Sequence, residues 1–377
     1  MLIISIIVFI LALILVIYGG DMFVDSSIVI AKRFKIPTII IGATIVSIAT
    51  TLPELIVSTI SAVQGSYDLA VGNAVGSIIC NTALIGGLSM AVMPSVMKEK
   101  TSSTKYLLLI TSCFLLLLCG FGTNTTFNIA WIEALIFELL FVVYMLFNVY
   151  DAMCQMTGKR GLQALIRKKQ KENEQLENLT VLPNVDTQDI GVEYPGETEI
   201  KIEQEEKGKV VVKTEEKYPK MIITILFFIL GAGMIALGAY ALVESAKYIS
   251  SAIGISEALI GLTIVAVGTS LPELITTITS IRKKNSELGY GNIIGANIIN
   301  LTLLVGTSGL VSGSAGLPIS FWTYAVSIPL VCALSLIFVL PLMFKNRSYK
   351  TQGIALLTLY VLYLAFLITM TLCGITV

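Results

Sequence analysis

Apolar stretches long enough to cross a lipid bilayer recur along this chain, over residues 2–30, 37–64, 70–95, 104–122, 127–150, 220–247, 255–281, 287–312, 317–344 and 351–375. A spanning helix needs about 20 such residues. Inside lipid, a chain must satisfy every backbone N–H and C=O internally, which leaves helices and closed barrels. Stretches of this length predict an all-α membrane protein with about ten transmembrane helices. Composition agrees: 55% of residues are hydrophobic, 13% are charged, and mean hydropathy is +0.86. An ordinary soluble domain is about a quarter charged. The N-terminal stretch has no basic start and no small-residue cleavage site, so it reads as the first membrane helix rather than a signal peptide.

The charges are unevenly placed. Residues 151–220 hold 26 of the 50 charged side chains, and the other 307 positions hold 24. The plan is therefore a first five-helix unit over 1–150, a charged loop over 151–219, and a second five-helix unit over 220–377. Within the loop, the stretch from Arg160 to Leu179 suits a surface helix, and Glu199 to Thr214 alternates like a hairpin around Gly208. Its low aromatic content fits disorder equally well.

Basic residues set orientation. They follow the first helix (Lys32, Arg33, Lys35), the third (Lys98, Lys100, Lys105), the fifth (the loop), the seventh (Arg282, Lys283, Lys284) and the ninth (Lys345, Arg347, Lys350). Lys247 is the one exception, so 24 of 25 basic residues fall on one side of a ten-helix plan. That side is expected to be cytoplasmic, with both termini outside, in a multi-pass protein of a prokaryotic plasma membrane.

Several functions are excluded. Histidine is absent and net charge is zero. Imidazole catalysis, histidine-bound metal and electrostatic binding of nucleic acid have no basis here. No metalloprotease, nucleophile-elbow or phosphate-loop motif occurs, so an enzyme is not expected and neither is a cofactor. The cysteines, at 80, 113, 119, 154, 332 and 373, show no CxxC spacing. They read as small apolar filler.

Shifting the sequence by 219 residues aligns Gly42–Gly87 with Gly261–Gly306, giving 19 identities in 46 positions without a gap. Five helices per copy is an odd number, so the second copy enters the membrane from the opposite side. Inverted repeats of this kind build two access states around a midplane site in many secondary transporters.

Each copy places a glutamate inside an apolar span, Glu54 and Glu273. A carboxylate there is costly and marks an ion or proton path. Each follows a proline, Pro53 or Pro272, which cannot donate to the carbonyl four residues back and so frees carbonyls near Ala49 and Gly268. Hydroxyls precede the prolines: Thr50 and Thr51, then Thr269 and Ser270. Carboxylate, hydroxyl and freed carbonyl form an all-oxygen set suited to hard cations. The next helix of each copy carries G-N-x-x-G, with Asn73 and Asn292, followed by Ser77, Asn81, Asn297 and Asn300. Asn73 and Asn292 suit interhelical bonding and ion contact equally. Asp25 and Glu244 also correspond and read as solvated helix ends. Asp68 and Glu287 suit helix N-termini.

These motifs, ATTLPE with GNAVGS and GTSLPE with GNIIGA, resemble the alpha-repeats of the sodium/calcium exchanger family, within the cation/calcium antiporter superfamily. The resemblance implies four cation positions among the second, third, seventh and eighth helices, with the first and sixth helices sliding across them. By position, Glu54 and Glu273 would be central ligands. Thr50, Thr51, Thr269, Ser270 and Ser77 would supply hydroxyls, joined by the carbonyls of Ser47 and Ala266 and the side chain of Asn81. Family members often carry Asp where this chain has Asn300, and Ser where it has Ala296. The central charge is then −2, which still neutralises one calcium or two sodium ions.

The expected function is exchange of calcium for sodium by alternating access, with calcium, sodium and membrane lipid as partners. A second reading on the same fold exchanges calcium or another divalent ion for protons, since paired buried carboxylates can take up protons. A reading of another class is a passive cation channel.

Overall fold

The computed structural model describes residues 1–34, 47–94, 103–119, 127–177, 198–204, 210–216, 221–282 and 286–373. It is an all-helical membrane protein apart from two small antiparallel strand pairs. The helices are α1 (Leu2–Arg33), α2 (Ser47–Thr50), α3 (Leu52–Val63), α4 (Tyr67–Val92), α5 (Ser103–Cys119) and α6 (Trp131–Glu177). After the loop come α7 (Met221–Ile253), α8 (Glu257–Thr269), α9 (Leu271–Arg282), α10 (Ser286–Ile299 continued to Val311), α11 (Thr323–Lys345) and α12 (Lys350–Leu372).

Every predicted span meets a helix. Among the described residues, seven helices are long and apolar enough to cross a membrane, and α8 with α9, bent by 41°, makes an eighth if the pair is counted as one span. The apolar helices α3 and α5 are shorter and adjoin residues outside the described set.

α1 and α7 pair along their length, and glycine lets them approach. A Cβ on Gly19 would lie 2.8 Å from Met234 Cβ, and one on Gly231 would lie 2.8 Å from the Gly19 carbonyl. Phe23 and Phe228 pack beside this contact, tilted by 31° with ring centroids 4.4 Å apart. The pair is apolar and unburied over most of its surface. Its buried side chains, including Val16, Ile235 and Leu242, join Val57 of α3, Leu69 of α4 and Val265 of α8 in a hydrophobic cluster separate from the main core. The main core lies among α4, α5, α10, α11 and α12, around Tyr290, Phe338 and Met90.

The charged segment departs from the compositional plan in one respect. α6 is a single helix of 47 residues that runs through position 151. At 1.5 Å per residue it extends about 70 Å, far beyond a hydrocarbon core of about 30 Å. Its apolar part ends at Cys154. Composition marks where a helix leaves lipid, whereas helix continuity depends on local propensity. The hairpin reading is matched by strands β2 (Thr198–Gln204) and β3 (Val210–Glu216), which pair antiparallel with Ile200 opposite Thr214. The other pair, β1 (Asn128–Ile129) with β4 (Leu317–Pro318), ties the start of α6 to the segment before α11. The cysteines among the described residues are free thiols.

Candidate ion-binding site

The two prolines break their helices where the sequence places hydroxyls. Thr51 separates α2 from α3, with φ −92° and ψ 4°, and Pro53 lies in the first turn of α3. Ser270 separates α8 from α9, with φ −83° and ψ 8°. Proline suits the start of a helix because the missing N–H would have no partner there. Each break therefore puts Glu54 or Glu273 in the first turn of a fresh helix, inside the bundle.

Both carboxylates are completely buried, as are Ser77, Asn81, Thr269 and Asn300, and Thr51 and Ser270 are nearly so. The Ser270 hydroxyl donates to Glu54 Oε1 at 3.1 Å, joining the two copies. Thr50 is the hydroxyl that approaches the Glu273 carboxylate. The Thr51 hydroxyl turns back to the Ile48 carbonyl at 3.1 Å. The Ala266 carbonyl accepts the Ser270 N–H at 3.1 Å and lies 3.4 Å from the Thr269 hydroxyl, so an ion would compete with that hydroxyl for it. Ser47 opens α2, and its side chain lies outside the described residues.

A wider helical turn marks the next helix of each copy. α4 is π-helical over Cys80–Gly86 and α10 over Asn300–Leu304. Such turns re-aim side chains and are frequent at functional sites. Here they carry Asn81 and Asn300, which correspond across the repeat. Packing is crosswise: α3, bearing Glu54, lies against the π turn of Asn300, and α9, bearing Glu273, lies against the π turn of Asn81. Cys80, also buried, sits close to both carboxylates.

This centre is short of protein hydrogen bonds. Among the described residues, Glu54 Oε2, both oxygens of Glu273, Ser77 Oγ and both amide atoms of Asn81 and of Asn300 find no partner of good geometry. Leaving such an atom without a partner in a dry interior costs about 1–3 kcal/mol. A fold bears such a cost where the donors are meant for a ligand. The set is rich in oxygen and includes two carboxylates, which fits hard cations. Among the described residues no cluster of three or more His, Cys, Asp or Glu occurs, so the charge rests on this pair.

Asn73 is engaged as an interhelical bond. Its amide nitrogen donates to the Glu54 carbonyl at 3.2 Å and to Ser58 Oγ at 2.9 Å, and its oxygen lies 3.3 Å from the Thr269 hydroxyl. Asn292 is half-buried and donates to Thr276 at 3.0 Å. Asn297 reaches Thr82 at 2.7 Å, tying α10 to α4. Sequence reasoning passed over Ser58 and Thr82. Ser58 had a signal, since its repeat mate Thr277 is also a hydroxyl. Asp25 and Glu244 are exposed, and Glu244 lies 3.8 Å from Lys247. Asp68 is exposed in the first turn of α4.

Comparison with known proteins agrees in sequence and in fold. The family described as sodium/calcium exchanger protein matches residues 4–150 and 223–369. The two matched stretches are displaced by 219 residues (223 − 4 and 369 − 150), the shift of the internal repeat. The chain is 29% identical over 381 residues to the sodium/calcium exchanger MaX1 of Methanosarcina acetivorans, covering 97% of this chain and 99% of that protein. It is 28% identical to the inner membrane protein YrbG of Escherichia coli, covering 95% of each. A solved structure of the sodium-calcium exchanger NCX_Mj, soaked with Na+ and Sr2+, superposes with a TM-score of 0.57 at 26% identity, covering 97% of this chain and 99% of that one.

Proposed function

This chain belongs to the sodium/calcium exchanger family, and from that premise we propose that it is a secondary active antiporter exchanging calcium for sodium by alternating access. The observation that carries the reading is the pair of buried carboxylates, one from each copy, among polar atoms that lack partners among the described residues. Glu54 and Glu273 hold the ions' charge. Thr50, Thr51, Thr269, Ser270 and Ser77 add hydroxyls, Asn81 and Asn300 add amide oxygens, and Ser47 and Ala266 add carbonyls. Calcium takes six to eight oxygens, and this set suffices. One calcium or two sodium ions neutralise the pair, so the two cargoes compete for the same oxygens. Binding that differs between two access states is what couples their fluxes.

The remaining assignments follow from this reading. Residues 1–150 and 220–377 are the two transmembrane units, and 151–219 is a cytoplasmic loop. Both termini lie outside a prokaryotic plasma membrane. Transport requires no cofactor and no covalent catalysis.

One observation favours a second reading. Asn300 and Ala296 stand where family members often carry Asp and Ser, which weakens a sodium position. A divalent cation/proton exchanger would need only the carboxylate pair. Calcium uptake into proteoliposomes decides between them. Uptake under an imposed sodium gradient, unchanged when the pH gradient is collapsed, supports sodium coupling. Uptake that follows the pH gradient alone overturns it. Uptake that needs neither counter-ion identifies a passive channel.

A further inference from the structure

The two copies are alike in sequence but are packed differently. Gly72, Asn73 and Gly261 are fully buried where α4 and α8 begin. A Cβ on Gly72 would lie 2.8 Å from the Ala258 carbonyl, and one on Gly261 would lie 2.9 Å from the Leu69 carbonyl. Backbone therefore meets backbone at this face. It is the face poor in basic residues, where Lys247 bonds Gln64 at 3.1 Å. The repeat mates of the first two residues sit at the opposite face. Gly291 is exposed and Asn292 is half-buried. The mate of Ser58, Thr277, has a buried hydroxyl without a partner among the described residues.

Resting on the alternating-access reading, we infer that Asn73 is a positioning residue that holds one face of the site shut, and that Asn292 takes the same part when the other face closes. Asn73 joins three elements: α3 through the Glu54 carbonyl and Ser58, its own α4, and α8 through the Thr269 hydroxyl. Ser58 passes the link on to the Ala70 carbonyl at 3.1 Å. The Thr269 hydroxyl has one proton and also lies 3.1 Å from the Val265 carbonyl. That carbonyl can take the proton when Asn73 leaves, so the clamp releases without stranding a buried donor. By the 219-residue correspondence, the opposite clamp joins Asn292 to the Glu273 carbonyl, Thr277 and Thr50. The orphaned Thr277 hydroxyl is the part of that clamp the present conformation leaves unmade. Two clamps of the same chemistry at opposite faces, only one of them formed, make a two-state device whose halves exclude one another.

The test reads which face is open. In a background with Cys154→Ala and Cys373→Ala, reporters Ala258→Cys and Gly291→Cys are labelled from each side of oriented vesicles with a membrane-impermeant maleimide. With Asn73 present, Gly291→Cys reacts and Ala258→Cys is protected. Adding Asn73→Ala should raise labelling of Ala258→Cys at least about tenfold and slow labelling of Gly291→Cys. Adding Asn292→Ala should leave Ala258→Cys protected. A purely structural loss of packing would raise both reporters together. The inference is overturned if Asn73→Ala changes neither reporter beyond about twofold, raises both, or is matched by Asn292→Ala. Should Asn73→Ala fail to yield monodisperse protein, Ser58→Ala removes one acceptor and tests the same clamp through a smaller shift in the same directions. Flux is measured separately. Opposite shifts in a chain without exchange overturn the transport reading and keep the clamp. Exchange without those shifts does the reverse.

Discussion

The Ser270 hydroxyl donates to the Glu54 carboxylate at 3.1 Å, across 216 positions of sequence. The donor stands at the helix break of one copy, and the acceptor opens the fresh helix of the other. One buried polar cluster is thus assembled from both halves of the chain, and neither half alone contains it.

Glu54→Gln and Glu273→Gln should each abolish sodium-gradient-driven calcium uptake. Removing one partner of a buried ionic contact costs about 3–5 kcal/mol, equivalent to at least a 100-fold loss. Uptake of 45Ca into proteoliposomes measures it. Retained exchange in both variants would sink the site assignment.

Ser270→Ala removes one hydroxyl and leaves both carboxylates. A net hydrogen bond to a charged group is worth about 1.5–3 kcal/mol, so apparent calcium affinity should fall by about tenfold or more. The melting temperature should hold to within a few degrees. An unchanged KM for calcium would remove Ser270 from the site.

Asn300→Asp raises the central charge from −2 to −3. Calcium should bind more tightly, and exchange should depend more steeply on sodium concentration. The Hill slope of uptake against sodium reports this. An identical slope would show that position 300 does not face the ions.

Protons compete with calcium for the same two carboxylates. The KM for calcium should therefore rise as pH falls, in the absence of any pH gradient, and return as pH is raised. No histidine is present to contribute. A KM that is flat with pH in the wild type would contradict the assignment.

Gly72→Ala should destabilise the fold, because its Cβ would meet the Ala258 carbonyl at 2.8 Å. Overpacking of this sort costs about 1–3 kcal/mol. Gly233→Ala is the control: it lies exposed on α7 with open space around its Cβ, and alanine is the better helix former by about 1 kcal/mol. Thermal unfolding in detergent compares them. Equal melting temperatures for both variants would show that the α4–α8 contact is looser than these distances imply.

Much of this protein was legible in its sequence, for physical reasons that act locally. Lipid demands long apolar helices, so the spans could be read from composition alone. A proline cannot donate the helical bond to the carbonyl four residues back and so favours a break, as at Thr51 and Ser270 before Pro53 and Pro272, although Pro341 lies within α11. A carboxylate is too costly in hydrocarbon to be incidental, so Glu54 and Glu273 stood out. The tertiary structure decided which atoms meet across the repeat. It gave Asn73 three partners and Asn292 one, although both sit in the same G-N-x-x-G motif. It turned the Thr51 hydroxyl back toward its own helix while sending Ser270 to the opposite carboxylate. Equal motifs in two copies cannot encode that difference. It arises because backbone packs on backbone at the Asn73 face while Gly291, beside Asn292, is exposed with open space around it, and only the whole bundle settles which face is closed.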